Sequence, residues 1–189
     1  MRRTWWLVLA CFAVLAYLRS GADAGDAKGT EVTLDELKSR TPANWKMQAP
    51  SNKLRAYQFQ VPKVEGDKED AELVIFFFGP GSGGSTADNI KRWKGQFLPP
   101  EGKTIDEASK VETYKVGDVA ITSLDLHGTF KYKFPPFDPN AKEQRKPDYR
   151  RFGVVFESKN GPYFITLTGP AKTMAQNKQG FDAWIKNFK

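Results

Sequence analysis

Gly79, Gly81 and Gly84 spell G-x-G-x-x-G between the apolar run Glu72-Leu73-Val74-Ile75-Phe76-Phe77-Phe78 and the polar start Ser85-Thr86-Ala87-Asp88-Asn89-Ile90. A glycine loop that ends a strand and opens a helix is a place for anion capture, because free N–H groups converge at a helix N-terminus. Ser82, Ser85 and Thr86 add hydroxyls there. Asn89, Arg92 and Gln96 share one helical stripe beside the loop, with Arg92 placed to clamp a carboxylate or phosphate. Dinucleotide binding asks for more: a second parallel strand soon after the helix, with an acid near its end. Here Phe97-Leu98-Pro99-Pro100-Glu101-Gly102 follows instead, and the loop lacks the Gly-Lys-Ser/Thr ending of a nucleotide P-loop. The glycines then read as a tight reversal that docks a helix on a sheet. Capture of a small anion by Ser82, Ser85, Thr86, Asn89 and Arg92 is the chemical alternative.

Other catalytic constellations are thin. Ser85 sits in Gly83-Gly84-Ser85-Thr86-Ala87, loosely like a nucleophile elbow, but the chain has a single histidine, His127. His127 would share a strand face with Asp125 and Thr129, and a polar outer face explains all three. A Ser/His/Asp set would have to be assembled around that one histidine. One His and one Cys give no metal-ligand cluster. No catalytic residue, metal or cofactor is assigned.

Compartment is written at the N-terminus. Met1-Arg2-Arg3, an apolar stretch over 5–18 and Ala22-Asp23-Ala24 describe a secretory signal peptide cleaved after Ala24. The stretch is short for a span, which takes about 20 residues. An uncleaved anchor is the rival, and the membrane would then be met through this segment only. Cys11, the sole cysteine, lies inside it, so the mature protein has no disulfide and no thiol chemistry. The net charge of +7 belongs to an exported protein, which does not meet nucleic acid. It points to an acidic protein or an anionic envelope component, or simply to solubility.

The elements that position these residues follow from periodicity and turn chemistry. Residues 25–32 read as a flexible lead-in and 33–189 as a single domain. Thr33-Leu34-Asp35-Glu36 is a capping box that predicts a helix to about residue 40. Strands are predicted over 44–47, with Trp45 and Met47 on one face, over 54–61 and over 72–78. The helix after the glycine loop carries Ile90, Trp93 and Phe97 on one face and stops at Pro99-Pro100. A hairpin over 111–116 and 119–130 turns at Gly117-Asp118, with Gly117 suited to the first central position of a II′ turn. Residues 131–151 hold four prolines, four aromatics and seven Lys/Arg against three acids. They read as a long basic loop, with Lys131, Lys133, Phe134, Phe137, Arg145 and Lys146 as candidate partner-binding residues. A second hairpin, 152–157 and 163–168, turns at Asn160-Gly161. Gly169-Pro170 opens a last helix with Met174, Phe181, Trp184, Ile185 and Phe188 on its apolar face. The sum is α+β: a single twisted, mainly antiparallel sheet of about seven strands with helices packed on it.

Gly83-Gly84, Asn89-Ile90-Lys91-Arg92-Trp93, Gln96-Phe97, Leu126-His127-Gly128-Thr129-Phe130, Gly161-Pro162-Tyr163-Phe164 and Leu167-Thr168-Gly169-Pro170 resemble a family of small exported bacterial proteins without assigned activity. The element order is also similar to the PsbP-like α-β-α sandwich, named for the extrinsic photosystem II protein. That resemblance implies a non-enzymatic binding or accessory role in the cell envelope, with no photosynthetic function carried across. The alternative is a small-anion binder or hydrolase-like enzyme using the loop 79–86 and the Asn89/Arg92 helix face.

Overall fold

An apolar run with no polar alternation needs cover on both sides, and 72–78 has it. The computed structural model describes residues 28–134 and 140–189; the leader and Phe137 lie outside them. In chain order the elements are β1 (Glu31–Leu34), β2 (Leu37–Arg40), β3 (Lys46–Gln48), β4 (Arg55–Val61), β5 (Ala71–Phe77), α1 (Thr86–Gly95), β6 (Phe97–Leu98), β7 (Ser109–Val116), β8 (Val119–Lys133), β9 (Glu143–Ser158), β10 (Gly161–Pro170) and α2 (Ala171–Lys186). Strands β3-β4-β5-β10-β9-β8-β6 lie side by side in that order, β7 also pairs with β8, and every pairing is antiparallel. Strands β1 and β2 form a separate hairpin.

The two faces of β5 enter two different cores. Ala71, Leu73 and Ile75 pack with Phe59, Phe152, Val154, Phe156, Ile165 and Leu167 under Met174, Phe181, Trp184 and Ile185 of α2. Phe76 and Phe78 face the other way, with Phe164 and Val155 beneath Trp93 of α1. The result is an α-β-α sandwich, the α+β class that hairpin spacing predicts. Helix α2 starts against Pro170, which serves as N-cap, one position earlier than its predicted place inside the helix. Beyond it, Phe188 is buried and Lys189 exchanges backbone bonds with Lys38, so the C-terminus ties the β1–β2 hairpin to the sandwich.

Several local expectations are overruled by tertiary packing. The capping box at Thr33 does not start a helix, and the segment expected as lead-in is already strand at Glu31. Val32 and Leu34 are both 0% exposed, so they must share a face, which a strand allows and a helix does not. Asp35 makes the turn with φ 53°. Its carboxylate accepts from the Tyr163 hydroxyl at 3.0 Å and from Asn160 N–H at 3.2 Å, pinning the hairpin to the β9–β10 turn. Burial raises the pKa of Asp35, but hydrogen bonds from Ser158, Asn160 and Tyr163 outweigh it and hold the group below 3.8. A depressed carboxyl stabilises the fold above its unfolded pKa, so this contribution is full at neutral pH and is lost as pH falls through about 4 and below. Asp35→Ala is expected to cost about 2 kcal/mol in urea unfolding, with strained φ and two lost bonds adding. Asp35→Asn, which tolerates positive φ, should cost less.

Residues 131–151 are the second correction. Most of this segment is strand, since β8 runs to Lys133 and β9 starts at Glu143. Pro135, Pro136 and Pro139 lie outside the described residues. Pro147 falls where Gly128 pairs with Tyr149 but Phe130 with Lys146, so Pro147 and Asp148 bulge opposite Thr129. Asp148 takes φ 54° there. Three smaller differences follow the same logic. Trp45 is buried and donates to Asn177 Oδ1 at 3.0 Å, while Met47 is half exposed on the edge strand. Helix α1 ends at Gly95, and Phe97 enters the core from β6. In the β9–β10 hairpin Ser158 pairs with Gly161, so the turn residues are Lys159 and Asn160.

Candidate functional site

The glycine loop is shaped by its backbone. Gly79, Gly81, Gly83 and Gly84 all have positive φ, between 68° and 92°, which side chains disfavour. At Gly83 a Cβ would also sit 2.4 Å from Phe164. The loop drops α1 onto Phe164 and the sheet, and its polar residues hold that geometry. Ser85 is the N-cap: its Oγ accepts from Asp88 N–H at 3.1 Å and donates to the Asp88 carboxylate at 2.6 Å. The favourable place for an anion at this helix start is therefore filled by Asp88 itself. Asn89, buried, donates to the carbonyls of Gly83 and Ser85 at 2.9 Å each. Thr86 Oγ1 donates to Glu157, and Ser82 N–H closes the loop onto Gly79 O at 3.2 Å. Of the predicted set, the fold brings Asn89 and Arg92 together, with Arg92 Nη2 donating to Asn89 Oδ1. It turns the Ser85 hydroxyl away from both.

The hydrolase set is separated. Leu126 belongs to the α1-side core, so His127 points to the α2 side of the sheet, opposite Ser85. Asp125 is held by Arg150 in a two-pronged pair, 2.7 Å at each prong.

Two features of the α1 side go beyond the predicted set, although Thr86 and Lys131 of that set line the first. The first is a groove of about 820 Å³ between α1 and the β7–β8 hairpin. Ile90, Phe97, Ile105 and Val111 give it an apolar floor, and Lys91, Lys94 and Lys131 stand around it. Lys94 is paired with Asp106 at 2.7 Å. Lys91 and Lys131 have no acidic partner among the described residues. The second is Arg151, the only guanidinium among the described residues that is buried, at 6% exposure. Its Nε donates to Thr168 Oγ1 at 2.8 Å and its Nη1 to Gln96 Oε1. It lies 5.0 Å from the Phe130 ring centre and 5.4 Å from that of Phe97. Strand phase could have found it, since Arg151 alternates with Phe152 on the same side as Gly153 and Val155. The groove could not be read ahead, because Ile105 and Val111 reach α1 only through tertiary folding.

The basic segment is partly engaged within the chain. Lys146 pairs with Glu69 at 2.5 Å and lies over Tyr132, 4.8 Å away, and Tyr149, 5.5 Å away. Arg145 is 3.7 Å from Glu143. Lys131 lines the groove, and Lys133 and Phe134, the latter 66% exposed, stand at the end of β8.

Fold and site define an α-β-α sandwich with a basic-rimmed groove on one helix flank. No family model matches the chain, and no curated protein matches it. Among solved structures, the chain is similar to cyanobacterial PsbP (CyanoP) of Synechocystis at 13% identity and TM-score 0.49, over 91% of this chain and 98% of that one. It is also similar to PA94 of Pseudomonas aeruginosa, a protein of unknown function, at 16% identity and TM-score 0.43, over 83% of this chain and 93% of that one. At such identities and superpositions neither likeness bears on what this chain binds.

Proposed function

We propose that the chain is an exported, non-enzymatic binding protein of the cell envelope that takes an acidic, partly apolar segment of a partner protein in the groove beside α1. The observation that carries this reading is the groove: an apolar floor of Ile90, Phe97, Ile105 and Val111, the last 44% exposed, flanked by two lysines without an acidic partner among the described residues. Water-exposed apolar surface next to unpaired charge fits a ligand offering both complements. A peptide with alternating apolar and acidic side chains does so along an open groove. Lys133 and the exposed Phe134 follow Lys131 at the end of β8. Catalysis around Ser85 is disfavoured, because its hydroxyl and Asp88 are tied up as the α1 cap and His127, the one histidine, lies on the other side of the sheet.

The test is titration with a synthetic peptide of alternating leucines and glutamates, followed by anisotropy and by thermal shift. Saturable binding that weakens with salt is expected, with stabilisation of about 2.7 kcal/mol at a hundredfold excess over Kd. Val111→Asp with Lys91→Glu should lower affinity about a hundredfold without lowering the melting temperature, since both positions are exposed. Equal affinity in that double variant would overturn the reading.

A further inference from the structure

Arg151 presents a charge problem that its own neighbours do not solve. Thr168 and Gln96 offer neutral oxygens, and Phe97 and Phe130 offer ring faces. These reduce the penalty of a buried cation but do not cancel its charge. Nη2 has no acceptor among the described residues and is not one of the donors sealed from solvent, so it stays open at the seam. One turn up α1 from Gln96 stands Arg92, a second cation without a carboxylate partner among the described residues, whose aim is set by Asn89 Oδ1. Asn89 is in turn fixed by two carbonyls of the glycine-loop connection. Glu72, which the register places beside Thr168 on this face, is engaged by Arg55 and Gln58, each at 2.9 Å. Burial first, and the Arg92 charge second, push the Arg151 pKa down to about 9. A fold that only needed volume here would place an apolar side chain, and would keep Arg92 away.

We propose that Arg92 and Arg151 together hold an oxyanion, a carboxylate or a phosphate, in the seam between α1 and the sheet. Arg151 Nη2 meets it from below and Arg92 from the rim, while Thr168 and Gln96 hold the buried fork in place. Charge-assisted bonds from two guanidiniums are the usual recognition of such groups. With Arg151 almost enclosed, only a small terminal group enters. The seam lies on the opposite flank of α1 stripe 89–92–96 from Lys91 and does not depend on the peptide groove.

The experiment is NMR of the full chain labelled with ¹⁵N-arginine, titrated in separate arms with inorganic phosphate, with succinate, and with vesicles of phosphatidic acid in phosphatidylcholine. Saturable shifts of the Arg151 and Arg92 Nε–H resonances in a free-anion arm are expected. Arg92→Gln, at an exposed position, should weaken binding about tenfold, and Arg92→Lys should restore part of it. Response to the vesicles alone, lost in Arg92→Gln, would assign the oxyanion to a lipid headgroup. The absence of saturation in every arm, or the same affinity in Arg92→Gln, would overturn the proposal.

Discussion

Trp184→Ala is expected to destabilise the fold by about 3–5 kcal/mol in urea, whereas Trp184→Phe should cost less than about 1.5 kcal/mol. Trp184 is 1% exposed and sits at the centre of the α2-side core. Its ring centre lies 5.7 Å from that of Trp45, 6.0 Å from Phe181 and 5.6 Å from Phe188. Truncation to alanine removes one face of all three aromatic contacts and leaves a cavity that strands on one side and a helix on the other cannot close. Phenylalanine keeps most of that area. It also removes a liability: Trp184 Nε1 is buried without an acceptor among the described residues, unlike Trp45 Nε1, which reaches Asn177. A buried donor left unpaired costs about 1–3 kcal/mol, which offsets part of the lost ring volume. The backbone link from Ser39 Oγ to Trp184 O, 2.7 Å, survives both changes. If the phenylalanine variant were as unstable as the alanine variant, the indole would have to make a bond that this packing does not contain.

The contrast between Trp184 and Arg151 shows what could be read ahead. The apolar phase of α2 is local, so Met174, Phe181, Trp184 and Ile185 were legible from spacing alone, and all four are buried. The same holds for β5 and the Gly117 turn with φ 56°. What failed was local propensity set against distant demands. The Thr33 capping box is sound chemistry for a helix, yet Tyr163, 128 residues away from Asp35, closes a hairpin turn there. The prolines of 131–151 describe a loop only until the bulge at Pro147 shows how a strand can pass through one of them. Arg92 was legible as a candidate clamp, but its partner was not. Arg151 comes from β9, and an arginine within a basic run reads as solvated until the strand phase is known. The glycine loop keeps its importance as the device that aims α1, with Asn89 as its fastener rather than a free ligand group.

Because α1 carries both the Lys91 wall of the groove and the Arg92–Gln96 edge of the seam, its docking decides both proposals. That docking rests on Gly153, where a Cβ would lie 2.6 Å and 2.7 Å from Trp93 ring atoms. Trp93 is 4% exposed and is the largest side chain by which α1 enters the second core. Gly153 has no positive φ, so it is retained for space and not for backbone conformation. Gly153→Val is therefore expected to cost about 3 kcal/mol, because the indole must leave its place over the sheet and take α1 with it. Trp93→Ala alone should cost about 3–5 kcal/mol through the opposite defect, a cavity over Gly153. The two defects fill one another. The double variant should lose at least about 1 kcal/mol less than the sum of the singles, a coupling that urea unfolding resolves. Hydrogen exchange adds the spatial readout: Gly153→Val should speed exchange in α1 while α2, on the other face, keeps its protection. Additive losses, or faster exchange spread evenly over both helices, would show that Trp93 on Gly153 is not what seats α1.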